Sequence, residues 1–227
     1  MTDPARAPLD GAARDAFIRA YTALAAPTLV PELRLHLATE ITPLWHATQE
    51  LLDDGDLQPP YWAFAWPGGQ ALARFLIDES VHVARRDVFV LAAGSGIDAI
   101  GAACAGAARV AAADIDPFAR SAIALNARAN HVTIEIVDGD PLDDPPPVVD
   151  VILAGDVCYD EQMAPRVIAW LRRAAATGTE VLIADPGRAF LPERGIELLQ
   201  RYDVPTSNEL EDRAVRETGV FRLSGRS

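Results

Sequence analysis

The segment Val88 to Ala103, VFVLAAGSGIDAIGAA, constrains the chain most. Val88 to Leu91 is an apolar run suited to a buried strand. Ala92-Ala93-Gly94-Ser95-Gly96 is a small-residue turn, and an Ala-rich run of helical spacing follows. Strand, glycine turn and helix form a nucleotide-binding geometry. The glycines let the backbone approach a ligand, and the helix start offers unpaired N–H groups and a positive dipole end. The turn is G-x-G without a third glycine, so alone it also fits a plain strand-to-helix turn.

The rest of the chain extends the pattern. Arg109 to Ala113 predicts a second strand ending at Asp114-Ile115-Asp116, and Pro117 suits the first turn of a helix reaching Asn130, with Phe118, Ala122, Leu125 and Ala129 inward. Val132 to Val137 and Val149 to Ala154 predict two further strands, the first ending at Asp138-Gly139-Asp140 and the second at Gly155-Asp156. Met163, Val167, Leu171 and Ala174 mark a helix that tolerates Pro165 only in its first turn. Glu180 to Ala184 predicts a fifth strand, a helix is expected from about Glu193 to Arg201, and Arg213 to Leu223 suits antiparallel edge strands. Alternating strands and helices give an α/β fold with a mostly parallel sheet covered on both faces. Ligands of such sheets bind at the strands' carboxyl ends. Gly94, Gly96, Asp114, Asp140, Asp156 and Tyr159 all fall at such ends.

Upstream, Asp10 to Leu24 predicts a helix with Phe17, Tyr21 and Leu24 on one face. Leu33 to Leu37 suits a short strand or a helix start, Leu44 to Leu52 a helix or irregular chain, and Asp53 to Asp56 a turn. Residues 1–58 are expected to be a helical extension packed on a core domain of residues 59–227. The aromatic run Pro59 to Gly69 leads into a helix from Gln70 to Asp78. Trp62 fits a core anchor. Trp66, at the helix mouth, fits a core role or a ligand contact equally.

Composition bounds the partners. The chain has 227 residues, 50% of them hydrophobic, and a net charge of −13. All twenty basic residues are Arg. An acidic surface repels phosphate backbones, so no nucleic-acid partner is expected. No apolar run suits a membrane span or a signal peptide, so the expected location is cytoplasmic, away from membranes. Cys104 and Cys158 make neither a disulfide framework nor a metal site.

The acid Asp114 at the second strand end suits a ribose, since a carboxylate accepts from both hydroxyls; this fits NAD and S-adenosylmethionine alike. Asp140 suits an adenine amino group, or simply the turn around Gly139. The missing third glycine and the absence of Lys argue against a dehydrogenase.

The segments PPYWAFAWPGGQALARFL, GSGIDAIGAACAGA, ADIDPFARSAIALNARAN, LAGDVCYDEQMAPRVIAWLRRA and IADPGR together resemble the seven-β-strand protein methyltransferases, and more narrowly the electron-transfer-flavoprotein β-subunit lysine methyltransferases. The likeness runs from about Val30 to Arg188. It implies a Rossmann-like seven-stranded sheet with an antiparallel C-terminal edge, S-adenosylmethionine as cofactor, and protein-lysine methylation, with the flavoprotein β subunit as substrate. It places Trp66, Gly94, Gly96, Asp114, Ile115, Asp140 and Gly155 on the cofactor, and Asp156 and Tyr159 on the acceptor lysine. A helix cap near Glu161 is the alternative use of Asp156. Val90, Ala92 and Pro141 depart from the family pattern: an acid, a glycine and a residue with a backbone N–H are expected there. Asp98 can replace the missing acid, or form a capping box with Ser95, the reading preferred from sequence. A cofactor-binding regulator without turnover and a small-molecule N-methyltransferase are the alternative functions.

Overall fold

The computed structural model describes residues 9–39, 41–52, 59–206 and 213–225. The turn expected at Asp53 to Asp56 lies outside them. The N-terminal part contains α1 (Gly11–Tyr21), a hairpin of β1 (Thr22–Ala25) and β2 (Leu35–Ala38), and α2 (Ile41–Leu52). Asp10 caps α1 by accepting from the Ala13 amide at 2.8 Å. The helix stops at Tyr21, so Leu24 falls on β1 and is 49% exposed rather than sharing a face with Phe17. Phe17 instead meets Phe118 edge-on, at 5.3 Å between centroids.

A 3-10 turn (Tyr61–Ala63) leads to α3 (Pro67–Asp78), which begins three residues before the expected Gln70 because Pro67 is tolerated in a first turn. Then β3 (Asp87–Leu91), α4 (Ile97–Cys104), β4 (Arg109–Ala113), α5 (Pro117–Ala129) and β5 (Glu135–Val137) follow. The chain continues through β6 (Val151–Gly155), α6 (Met163–Ala176), β7 (Glu180–Asp185), β8 (Ile196–Pro205) and β9 (Val215–Leu223).

Seven strands form one sheet in the order β5-β4-β3-β6-β7-β9-β8. Pairings from β5 to β7 are parallel, and β9 runs antiparallel to both β7 and β8. The strand order reverses at β3, so the crevice at its carboxyl end is the switch point where ligands of such sheets bind. Alternation along β3 splits the core. Val88 and Val90 pack with Leu72, Phe75 and Ala99 of α3 and α4. Phe89 and Leu91 pack with Val167, Trp170 and Leu171 of α6.

The helix expected from Glu193 to Arg201 is a strand, β8. Ile196, Leu198, Leu199 and Tyr202 are compatible with either period, and local pattern does not decide. Pairing with β9 does, with a register irregularity between Leu198 and Gln200 that accommodates the adjacent leucines. The final strand β9 is therefore interior, and β8 forms the edge.

Asn126 on α5 is fully buried. Its side-chain oxygen accepts from the His36 amide at 2.7 Å, and its amide group donates to Ser95 O at 2.9 Å. One turn on, Asn130 bonds the amide and carbonyl of Arg34, at 2.8 and 2.6 Å. The spacing of four puts both asparagines on one helix face. That face carries β2 and holds the turn after β3.

Candidate active site

The chain leaves β3 through Ala92 and Gly94, both at φ 52°, and Gly96 at φ 78°. This left-handed path is free for glycine and strained for Ala92. The Gly94 amide donates to Asp114 Oδ2 at 2.8 Å, and the Asp116 amide donates to Asp114 Oδ1 at 2.9 Å. One carboxylate thus ties the tip of β4 to the glycine turn, and each oxygen keeps a lone pair for a hydroxyl. Burial raises the Asp114 pKa, against the pull of those two amides. Beside it Ile115 is 54% exposed, an apolar surface open to a flat ring. Asp116 caps α5 through the Phe118 amide at 2.8 Å, and burial pushes it up to about 6.

Asp98 does not form the capping box with Ser95. The N-cap of α4 is Gly96, in the left-handed region, and no side chain caps it. The Asp98 side chain accepts from the Ala99 amide at 2.9 Å and is 3% exposed. Burial, then the charges of Asp156 and Asp114, push its pKa up to about 7. Val90 is fully buried in the apolar layer under α3 and α4. The acid near the turn is therefore carried by the helix, not by the strand. An acid in the otherwise apolar run Ile97 to Ala103 was the sequence signal.

Asp156 follows β6 in the left-handed region, at φ 55°, which Asp tolerates better than most residues. Its amide donates to Ala184 O at 2.9 Å. Its Oδ2 accepts from the Gly69 amide of α3 at 3.1 Å, and its Oδ1 pairs with Arg188 at 3.2 Å. Trp66, the N-cap of α3, provides no side-chain cap, so Asp156 supplies it from across the fold. At the start of α6 it is Asp160, not Asp156, that accepts from the Gln162 and Met163 amides, at 2.9 and 2.7 Å. Burial raises Asp156 to about 6; Arg188 opposes that shift and Asp185 adds to it.

Gly155 lies against α3, where a Cβ would come within 2.9 Å of the Gly69 amide nitrogen. Its smallness serves that contact. Tyr159 is 46% exposed and meets Tyr61, 37% exposed, at 6.0 Å. Tyr61 in turn meets Trp66 at 5.8 Å, and its carbonyl accepts from Trp66 Nε1 at 2.9 Å. The Tyr159 phenol is raised, chiefly by burial and by Tyr61, so it stays protonated. Trp62 is the expected core anchor, 2% exposed and stacked on Phe118. Tyr61, marked in the sequence only by membership of the aromatic run, thus joins Tyr159 and Trp66 at the candidate site.

Asp140 caps the short turn Pro141–Asp143 through the Leu142 amide at 2.9 Å. Pro141 occupies its first position, where no N–H is required. Asp140 also lines a cavity of about 400 Å³ with Phe89, Val137, Pro147 and Trp170. Among the described residues no group of three or more His, Cys, Asp or Glu is placed to hold a metal.

Asp98, Asp114 and Asp156 stand near the switch point, close enough that Asp98 feels the charge of both others. Such a set suits a ligand bearing cationic groups and a ribose diol beside a flat ring. S-adenosylmethionine, with its sulfonium, ammonium and adenosine, has that chemistry.

Comparison with known proteins agrees. Residues 72–190, just over half the chain, match the family model for ribosomal protein L11 methyltransferase. The electron transfer flavoprotein beta subunit lysine methyltransferase of Xenopus laevis is 36% identical over 211 residues, covering 90% of this chain and 85% of that protein. The Danio rerio protein of the same name is 37% identical over 203 residues, covering 87% and 78%. The chain belongs to this methyltransferase family. A putative RNA methyltransferase from Pyrococcus horikoshii shares the fold, with a TM-score of 0.54 at 17% identity over 78% of this chain and 96% of that one. The chain is an S-adenosylmethionine-dependent methyltransferase with the Rossmann-like sheet expected from its sequence. No helix among its described residues is long and apolar enough to cross a membrane.

Proposed function

We propose that this methyltransferase methylates the ε-amine of a lysine on the electron transfer flavoprotein β subunit. The reading is supported above all by one arrangement: Asp156 and the exposed pair Tyr159 and Tyr61 adjoin the carboxylates of Asp98 and Asp114. The family relatives carry the substrate in their names.

In this reading the turn at Gly94 and Gly96, with Asp114, holds the ribose and methionine end, and Asp98 meets the ammonium. Ile115, Asp140 and Trp66 flank the rest of the cofactor, and Gly155 lets α3 close on the site. When bound, S-adenosylmethionine supplies a methyl carbon whose bond to the sulfonium yields its electron pair to sulfur as an amine nitrogen takes that carbon. The chain's own residues attend to the amine. Asp156 draws in the cationic side chain and orients it. Tyr159 and Tyr61 pack along its alkyl stem and favour a cation at their ring faces. A protonated lysine has no lone pair, so it must lose its proton to solvent water before transfer. Positioning of the neutral amine and exclusion of water supply most of the help this displacement needs. The described part of the extension expected over residues 1–58 braces the turn, a reading supported by the bonds of Asn126 to His36 and Ser95 and of Asn130 to Arg34. A cytoplasmic location belongs to the same reading and suits the two free thiols.

The test is incubation with methyl-labelled cofactor and purified flavoprotein, followed by mass spectrometry. The expected result is label on a lysine of the β subunit, lost with Asp156→Asn. Since the enzyme contains no lysine, label on its own side-chain amines cannot confuse the assay. A flavoprotein left unlabelled by enzyme that binds the cofactor would overturn the lysine assignment.

A further inference from the structure

The loop after β7 is folded against the loop after β6. The Arg188 amide donates to Asp185 Oδ1 at 2.6 Å, closing a turn through Gly187 at φ 80°. The Phe190 amide donates to Cys158 O at 3.3 Å, joining the two loops. This arrangement brings the Arg188 guanidinium to 3.2 Å from Asp156 Oδ1, with the two side chains 21% and 12% exposed. The other oxygen of Asp156 is taken by the Gly69 amide. Arg188 therefore stands at the oxygen of Asp156 that is not committed to α3.

We propose that Arg188 is a positioning residue of the acceptor site, which aims Asp156 and offsets its charge so that the substrate amine can be delivered neutral. The inference rests on the reading above that Asp156 faces the acceptor lysine. An isolated carboxylate would attract an ammonium and also hold its proton on, which opposes nucleophilic attack. Paired with a guanidinium, the carboxylate still orients the amine through hydrogen bonding but favours the charged form less. The same guanidinium keeps Asp156 ionised, against burial and against Asp185. Asp98 and the Cys158 thiol also feel Asp156, and the thiol is pushed up to about 12 and so stays neutral. The Gly69 amide at the start of α3 adds its dipole.

Both effects have the same sign. Without Arg188, Asp156 ionises at higher pH in the free enzyme, and the bound lysine holds its proton to higher pH in the complex. The experiment measures kcat and kcat/KM against pH for the full chain with the flavoprotein β subunit as acceptor. Arg188→Gln and Arg188→Met are both expected to move the acid limb of both profiles up by about one pH unit, the effect of losing one adjacent opposite charge. Arg188→Lys should return the limb towards its original place. S-adenosylmethionine affinity by calorimetry should be retained, which shows that the site is folded. A limb unmoved in the neutral variants, with activity lowered equally at every pH, would mean that Arg188 only braces the loop. Wild-type turnover in Asp156→Asn would instead overturn the placement of Asp156 at the acceptor.

Discussion

The carboxylate of Asp156 lies 3.1 Å from the amide of Gly69, so the acid after β6 is also the cap of α3. The fit depends on Gly68. A Cβ there would fall 2.5 Å from Ala184 O and 2.6 Å from Asp156 Oδ2. Gly68→Ala must push the helix start off the strand ends. A stability loss of about 1–3 kcal/mol is expected, the usual cost of overpacking. Transfer should fall more than cofactor affinity. Thermal melts, calorimetry and turnover measured together check this.

Asp98 gives the ligand-free enzyme a pH-dependent stability. Its folded pKa of about 7 stands above the ordinary carboxylate value. Above pH ~4 the unfolded chain has lost this proton, while the folded chain keeps it until about 7. The folded state therefore binds more protons in that window, and its stability falls as pH rises through it. Asp98→Asn should flatten this part of the melting temperature against pH. A cationic cofactor favours the ionised acid, so wild-type affinity should rise between pH 6 and 8 and that of Asp98→Asn should not. At pH 8 the variant should bind about ten- to a hundredfold more weakly, the range for one lost hydrogen bond to a charged group. Calorimetry across pH reads both.

Ala92 occupies a left-handed position at φ 52° and is exposed. Ala92→Gly removes the clash of Cβ with the backbone and should raise stability by about 1 kcal/mol. For a chain of this size that is about 2–4 °C in melting temperature. A scanning calorimeter resolves it.

Asn126→Leu would replace a fully buried amide with an apolar group of similar size. It leaves His36 N and Ser95 O without their partner. The expected cost is about 2–6 kcal/mol, because each of the two orphaned groups costs about 1–3. Cofactor affinity should fall with it, since Ser95 lies inside the glycine turn. Chemical denaturation and a binding titration test the two parts separately.

The parallel half of the sheet was legible because strands buried on both faces are written as continuous apolar runs, as in Val88 to Leu91 and Val151 to Ala154. Their loop ends were legible too, because glycines and acids punctuate them. β4 starts and stops where its residues predict. β5 does not, running only from Glu135 to Val137. The antiparallel end was not legible: the Glu193 to Arg201 stretch satisfies a helical period as well as a strand one, and only pairing across β9 decides between them.

The α/β class, the resemblance to the family and the acids at strand ends are legible in the chain, because they depend on local order and on contiguous motifs. The partners of each acid come from the assembled fold. Asp156 caps a helix far from it in sequence and pairs with Arg188; Asp98 becomes a buried carboxylate rather than a cap; Tyr61 joins Tyr159. Those roles depend on which dipoles and charges converge in a space with little water, and burial is a property of the assembled fold rather than of any one segment.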